Sequence, residues 1–149
     1  MKGGDWFSSL LIKWGFKRQR EPSPIHLVKG RKGEEAAREF LHARGIRCLT
    51  TNYSSRRGEI DLICKEGSCL VFVEVKTRSS EEWLRPAAAV NREKQKRISR
   101  AALDYLKDLN QPSIVFRFDI VEVILSGEQV MTVRHLPNAF LLAKPYRYG

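Results

Sequence analysis

Cysteine is scarce in this chain of 149 residues, and the three present form no framework. Cys48, Cys64 and Cys69 are odd in number and include no C-x-x-C pair, which argues against a disulfide scaffold and against a zinc site. All three fall in apolar, strand-like runs, where a thiol serves as a small hydrophobe. That usage suits a reducing compartment, so a cytoplasmic location is expected. His26, His42 and His135 are far apart, show no ligand spacing and read as structural or surface residues. No apolar run is long enough to cross a bilayer. The nearest approach, Trp6, Phe7, Leu10, Leu11 and Trp14, is interrupted by Lys13, and no small-residue cleavage pattern follows it. Its helical spacing and its neighbours Lys17, Arg18 and Arg20 would suit a membrane surface. Such segments more often dock on their own domain, and membrane contact is not expected here. Acids are also short: 17 against 27 Lys and Arg, a formal net charge of +10. A sequence pI near 9.9 makes nucleic acid the first partner class to consider and an anionic membrane surface the second.

The remaining composition is ordinary, with 42% hydrophobic and 30% charged residues, enough for one domain with a real core. Residues 1–29 read as a basic amphipathic extension closed by the linker Glu21-Pro22-Ser23-Pro24. Residues 30–138 form the domain and 139–149 the tail, with one short helical turn expected within Pro137 to Gly149. Within the domain the pattern predicts a helix over 34–44, stopped by Gly45. Strands follow over 46–53, 59–65 and 69–77. A helix from about Pro86 to Leu109 precedes strands over 114–125 and 129–135. The stripe of the second helix is Val90, Ile98, Ala101, Ala102, Tyr105, Leu106 and Leu109.

Two of these strands carry acids where apolar residues are expected: Glu59-Ile60-Asp61-Leu62 and Val73-Glu74-Val75-Lys76. A buried carboxylate is costly unless something binds it. With a two-residue turn at Glu66-Gly67, Glu59 faces Glu74 and Asp61 faces Phe72. Alternation then puts Glu59, Asp61, Glu74 and Lys76 on one face and Ile60, Leu62, Cys64, Val71, Val73 and Val75 on the other. Phosphodiester hydrolysis needs phosphate charge neutralised, a water activated and a leaving oxygen stabilised, all of which carboxylate-held Mg²⁺ (or Mn²⁺) can supply. Asp61 and Glu74 are placed to hold such an ion, with the carbonyl of Val75 as a further ligand. Lys76 is within reach of the attacking water or a phosphate oxygen. Glu34 is a further ligand or a water-orienting acid.

An acid followed a dozen residues later by Glu-x-Lys resembles the PD-(D/E)xK nuclease superfamily. The helix-first order with Gly33-Glu34 is similar to archaeal Holliday junction resolvases. The fuller pattern resembles the bacterial YraN family: Gly33-Glu34, Ala37, Leu41, Asn52, Gly58-Glu59-Ile60-Asp61-Leu62-Ile63, Phe72-Val73-Glu74-Val75-Lys76-Thr77-Arg78 and Arg117-Phe118-Asp119-Ile120-Val121. The resemblance implies an α/β, restriction-endonuclease-like fold, a mixed β-sheet core flanked by helices. It also implies a metal-dependent endonuclease acting on branched or otherwise structured DNA, often as a homodimer. It assigns Asp61, Glu74 and Lys76 to the site and Glu34 to the helix acid position, with Glu35 as the fallback. The chain departs from the superfamily pattern in lacking a proline before Asp61, and Met1 to Lys29 lies outside the resemblance.

Taken singly, these acids read as solvated strand residues, and Glu74 with Lys76 as a surface ion pair of small consequence. Their clustering on one face favours the site. Glu59 reads either as a supporting acid or as a partner for Arg56 or Arg57, and Asp119 beside Arg117 as structural. Arg56, Arg57, Arg78, Arg92, Lys94, Lys96 and Arg97 are candidate phosphate contacts, giving salt-sensitive binding by shape and backbone. The bland reading of that charge run is a solvated helix face. The competing functions are a nucleic-acid-binding protein without turnover and a membrane-surface adaptor.

Overall fold

The computed structural model describes residues 24–79, 90–110 and 113–148. In order, these form α1 (Pro24–His42), β1 (Arg47–Ser54), β2 (Glu59–Glu66), β3 (Cys69–Arg78), α2 (Arg92–Asp108), β4 (Phe116–Ser126) and β5 (Gln129–Phe140). The five strands make one sheet in the order β1-β2-β3-β4-β5. Only β3 and β4 run parallel, as the crossover through α2 between them requires; the other neighbours are antiparallel. The sheet is therefore mixed, with an apolar cluster on each face. One joins Ala37 and Leu41 of α1 to Leu62, Cys64, Val71, Val73, Val121, Val123 and Leu125. The other joins Ile98, Ala101, Ala102, Tyr105, Leu106 and Leu109 to Ile63, Leu70, Phe72, Phe118 and Ile120. This α/β arrangement is the expected fold class and is consistent with a restriction-endonuclease-like core.

Several boundaries differ from expectation for identifiable reasons. α1 starts at Pro24 rather than Glu34, because proline fits the first turn of a helix as well as it fits a linker. α2 starts at Arg92, not near Pro86: the side chain of Asn91 accepts the amide of Lys94 at 2.9 Å and caps it. Pro86, like the rest of 80–89 and the segment 1–23, lies outside the described residues. β5 continues through Pro137 to Phe140, where a strand end was expected; among the described residues it is an edge strand, so a missing N–H is tolerated. Residues 141–148 contain no helix.

The β2–β3 turn is Gly67-Ser68, one residue later than expected, with Glu66 paired to Cys69. Gly67 takes φ +57, the backbone that a type II′ turn needs at its first central residue. Partner numbers consequently sum to 135 rather than 133, so Phe72 lies opposite Ile63 and not Asp61. The change is even, so Asp61, Glu74 and Lys76 keep a common face. Ile60 is the exception to the expected alternation. It packs with Ile63 and Phe72 on the α2 side, because β2 has lost its pairing with β3 by that point.

Candidate active site

The site forms where two paired strands separate. The β2–β3 ladder ends at Leu62–Val73. One residue further, the Val75 amide donates instead to Asp61 Oδ2 at 2.8 Å, so a side chain replaces the lost carbonyl. This sets the Asp61 carboxyl beside that of Glu74, close enough for each to shift the ionisation of the other. Val75 thus enters the site through its amide. Glu74 is only 5% exposed. Lys94 Nζ, from α2, stands 3.4 Å from Glu74 Oε1, and Lys76 Nζ 3.9 Å from it. Lys94, expected as a phosphate contact on the helix face, therefore belongs to the acidic pair.

Burial pushes the carboxyls of both Asp61 and Glu74 up; the charge of Asp61 raises Glu74 further, whereas contact with Glu74 and the Val75 amide lowers Asp61. The lysines oppose this without cancelling it, and Glu74 is raised to about 7. Between the pairs Thr51–Leu62 and Tyr53–Ile60, Asn52 falls opposite Asp61. Its φ of +51 is left-handed, a conformation asparagine tolerates better than most residues. From there Asn52 Nδ2 donates to Glu34 Oε2 at 3.1 Å. Glu34 is half-buried, and burial, with the charge of Asp61, raises its carboxyl.

Two glycines set these elements at the needed distances. A Cβ on Gly33 would lie 1.8 Å from Thr77 Oγ1, so glycine lets α1 approach the end of β3 and deliver Glu34 without displacing the Thr77 side chain. A Cβ on Gly58 would lie 2.2 Å from the Arg97 carbonyl, so only glycine lets the start of β2 rest on α2. Glu35 is exposed beside Glu34, and Glu59 is exposed at the start of β2 opposite Ser54. Arg57 pairs with Asp104 on α2 rather than with Glu59. Arg78 pairs with Glu122 at 3.3 Å. Arg56, Arg92 and Arg97 are exposed and Lys96 half-buried. The basic first turns of α2 lie at the site because Lys94 reaches Glu74.

Among the described residues no three histidine, cysteine or acidic side chains converge as a ready-made metal cage. The pair Asp61–Glu74 nonetheless suits a hard divalent cation. Mg²⁺ takes oxygen donors, retains several waters and is commonly held by one or two carboxylates. Two adjacent acids shielded from water disfavour ionising together until a positive charge joins them, which a cation would supply.

Asp119 is fully buried, as a structural acid should be. It accepts from Arg117 Nε at 3.0 Å and the Asn138 amide at 3.0 Å, and lies 2.7 Å from His135 Nε2. These partners hold its carboxyl below the usual range. Sequence reading paired it with Arg117 but had no signal for His135, sixteen residues away.

The model of the uncharacterised protein family UPF0102 matches residues 33–123, a span that contains every residue of this site. A UPF0102 protein of Geobacter metallireducens is 42% identical over 114 residues, covering 76% of this chain and 93% of its own. One from Symbiobacterium thermophilum is 45% identical over 111 residues, covering 74% and 94%. No helix among the described residues is long and apolar enough to cross a membrane.

Proposed function

The chain belongs to the uncharacterised family UPF0102, the YraN family, and from its site we propose a metal-dependent endonuclease that hydrolyses phosphodiester bonds in structured or branched DNA. The observation that carries this reading is the contact between a half-buried acid, Asp61, and a buried one, Glu74, with two lysines within 4 Å of Glu74. A purely structural pair of like-charged acids would be hard to account for at such a site. Held by Asp61, Glu74 and the Val75 carbonyl, Mg²⁺ or Mn²⁺ would neutralise phosphate charge and lower the pKa of a bound water. Lys76 and Lys94 place two ammonium groups beside the same carboxylate, where they donate to non-bridging phosphate oxygens as charge builds in the transition state. Glu34, its Oε2 fixed by Asn52, presents Oε1 to accept a proton from the attacking water. Its raised carboxyl makes it a stronger base than an exposed glutamate. The exposed Arg56, Arg92 and Arg97 grip backbone phosphates without reading bases.

The test is cleavage of labelled single-stranded, duplex, flap and four-way-junction DNA in Mg²⁺, Mn²⁺ or EDTA. Cutting that needs the metal and falls by about 100-fold or more in Asp61→Ala and Glu74→Ala supports the reading. Salt-sensitive binding without any cutting would instead make the chain a non-catalytic nucleic-acid-binding protein of the same fold.

A further inference from the structure

Glu122 is the largest polar side chain in the core that the acidic pair does not use: its side chain is 2% exposed. In the sheet it lies between Lys76 on β3 and Arg134 on β5, the three forming one row across neighbouring strands. Direct partners share a face, so this row faces the α2 side with Glu74, one two-residue step further along β3. Arg134 Nε donates to Glu122 Oε2 at 3.2 Å, and Nη2 joins the same oxygen. Arg78 Nε stands 3.3 Å from Oε1, the one buried side-chain oxygen among the described residues without a hydrogen-bond partner. A carboxylate buried this deeply is costly, and its two guanidiniums leave the group with a net positive charge. Both arginines reach solvent, with side-chain exposures of 20% for Arg78 and 33% for Arg134.

We infer that Arg78 and Arg134, held by Glu122, form a second phosphate-binding site that grips the DNA backbone beyond the phosphate at Asp61–Glu74. The inference rests on the nuclease reading and deepens it by adding a subsite. Strands rise about 3.3 Å per residue, so Lys76 and Arg78 lie about 7 and 13 Å along β3 from Glu74. That span suits neighbouring phosphates of one strand. Arginine matches the geometry of phosphate better than lysine because its planar fork donates two parallel hydrogen bonds. Glu122 is a positioning residue: it touches no phosphate, and it removes the rotamer freedom two arginines would otherwise lose on binding.

The experiment measures binding of a fluorescent four-way junction and a duplex by anisotropy in EDTA, where turnover plays no part, between 50 and 200 mM salt. Arg78→Ala and Arg134→Ala should each weaken binding about tenfold and reduce the slope of log affinity against log salt by about one. Lys107→Ala, on the exposed last turn of α2, should stay within twofold of wild type. Arg78→Lys and Arg134→Lys, which keep the charge, should retain the salt slope yet bind more weakly, and thermal melts identify any variant that fails to fold. Glu122→Gln gives the sharpest outcome. Removing a negative charge should strengthen binding to a polyanion if only net charge matters, whereas a positioning role requires weaker binding. Arginine variants within twofold of wild type, or a Glu122→Gln protein that binds as well or better, would overturn the second site while leaving the nuclease reading intact. A wild type that binds neither DNA, whether in EDTA or in Ca²⁺, a cation that takes the same oxygen ligands, would overturn both.

Discussion

A methyl group on Gly58 would meet the Arg97 carbonyl oxygen at 2.2 Å, and one on Gly33 would meet the Thr77 hydroxyl at 1.8 Å. The two clashes differ in kind. A hydroxyl can rotate away, leaving Thr77 Cβ at 3.0 Å, whereas the Arg97 carbonyl belongs to a helix backbone that cannot yield locally. Gly58→Ala should therefore cost about 3 kcal/mol and Gly33→Ala nearer 1 kcal/mol, both within the overpacking range. Urea denaturation of the two proteins checks this, and equal losses would contradict it. Asp119 acts through charge instead of shape. Its carboxyl is lowered by His135, Arg117 and the Asn138 amide, so it binds its proton less readily folded than unfolded. A depressed acid stabilises the fold above its unfolded value of 3.8, and that contribution disappears as pH falls through the folded value. Asp119→Asn should cost about 3–5 kcal/mol near neutrality, as breaking a buried ion pair does. The difference from wild type should narrow on acidification below about pH 4, which denaturation curves at pH 7 and pH 3 measure.

Among the elements, Asp61 and Asp119 both lie where a ladder fails. Asp61 takes the Val75 amide just past the last β2–β3 pair, and Asp119 takes the Asn138 amide where the β4–β5 register shifts. The apolar stripe of α2 and the common face of Asp61, Glu74 and Lys76 were legible because periodicity and alternation are carried by the chain itself. Asn52 belongs to the family pattern, but nothing local to it says that it takes a left-handed turn opposite Asp61 and holds Glu34. Lys94 was legible as a basic helix residue only; that it meets Glu74 depends on how α2 crosses the sheet. The Asn91 cap offers a test of that crossing. Its side chain fixes the Lys94 amide, so the cap sets both the helix start and the root of the lysine at the site. Asn91→Ala should cost about 1 kcal/mol of stability. If Lys94 acts as proposed, DNA cleavage should fall by more than Lys107→Ala lowers it, since Lys107 lies at the far end of the same helix. Equal cleavage by the two variants would separate the cap from the site.

For the whole molecule, the acidic pair ties stability to pH and to divalent cations together. Glu74 is pushed up to about 7 in the folded chain, against an ordinary value near 4.5. Between these values the native chain holds a proton that the unfolded chain has released, so raising the pH favours unfolding. The stabilising contribution is complete below about pH 4.5 and is lost as pH rises through about 7. The Asp119 contribution varies in the opposite sense, but below about pH 4, so the two windows do not overlap. In EDTA the melting temperature should therefore fall by roughly 5 °C between pH 5.5 and pH 8, the size expected for a change on the order of 1–2 kcal/mol in a chain of this length. Glu74→Gln, which has no proton to lose, should flatten that decline. A divalent cation bound by the ionised pair acts against the same repulsion, and stabilises in proportion to the logarithm of its concentration over its dissociation constant. Adding 10 mM Mg²⁺ or Mn²⁺ should thus raise the melting temperature at pH 8 and do little at pH 5.5, where protons compete for the same oxygens. The rise should vanish in Asp61→Asn and Glu74→Gln. Equal stabilisation at both pH values, or stabilisation that survives in the variants, would place the cation elsewhere on the molecule and leave the acidic pair without the role proposed for it.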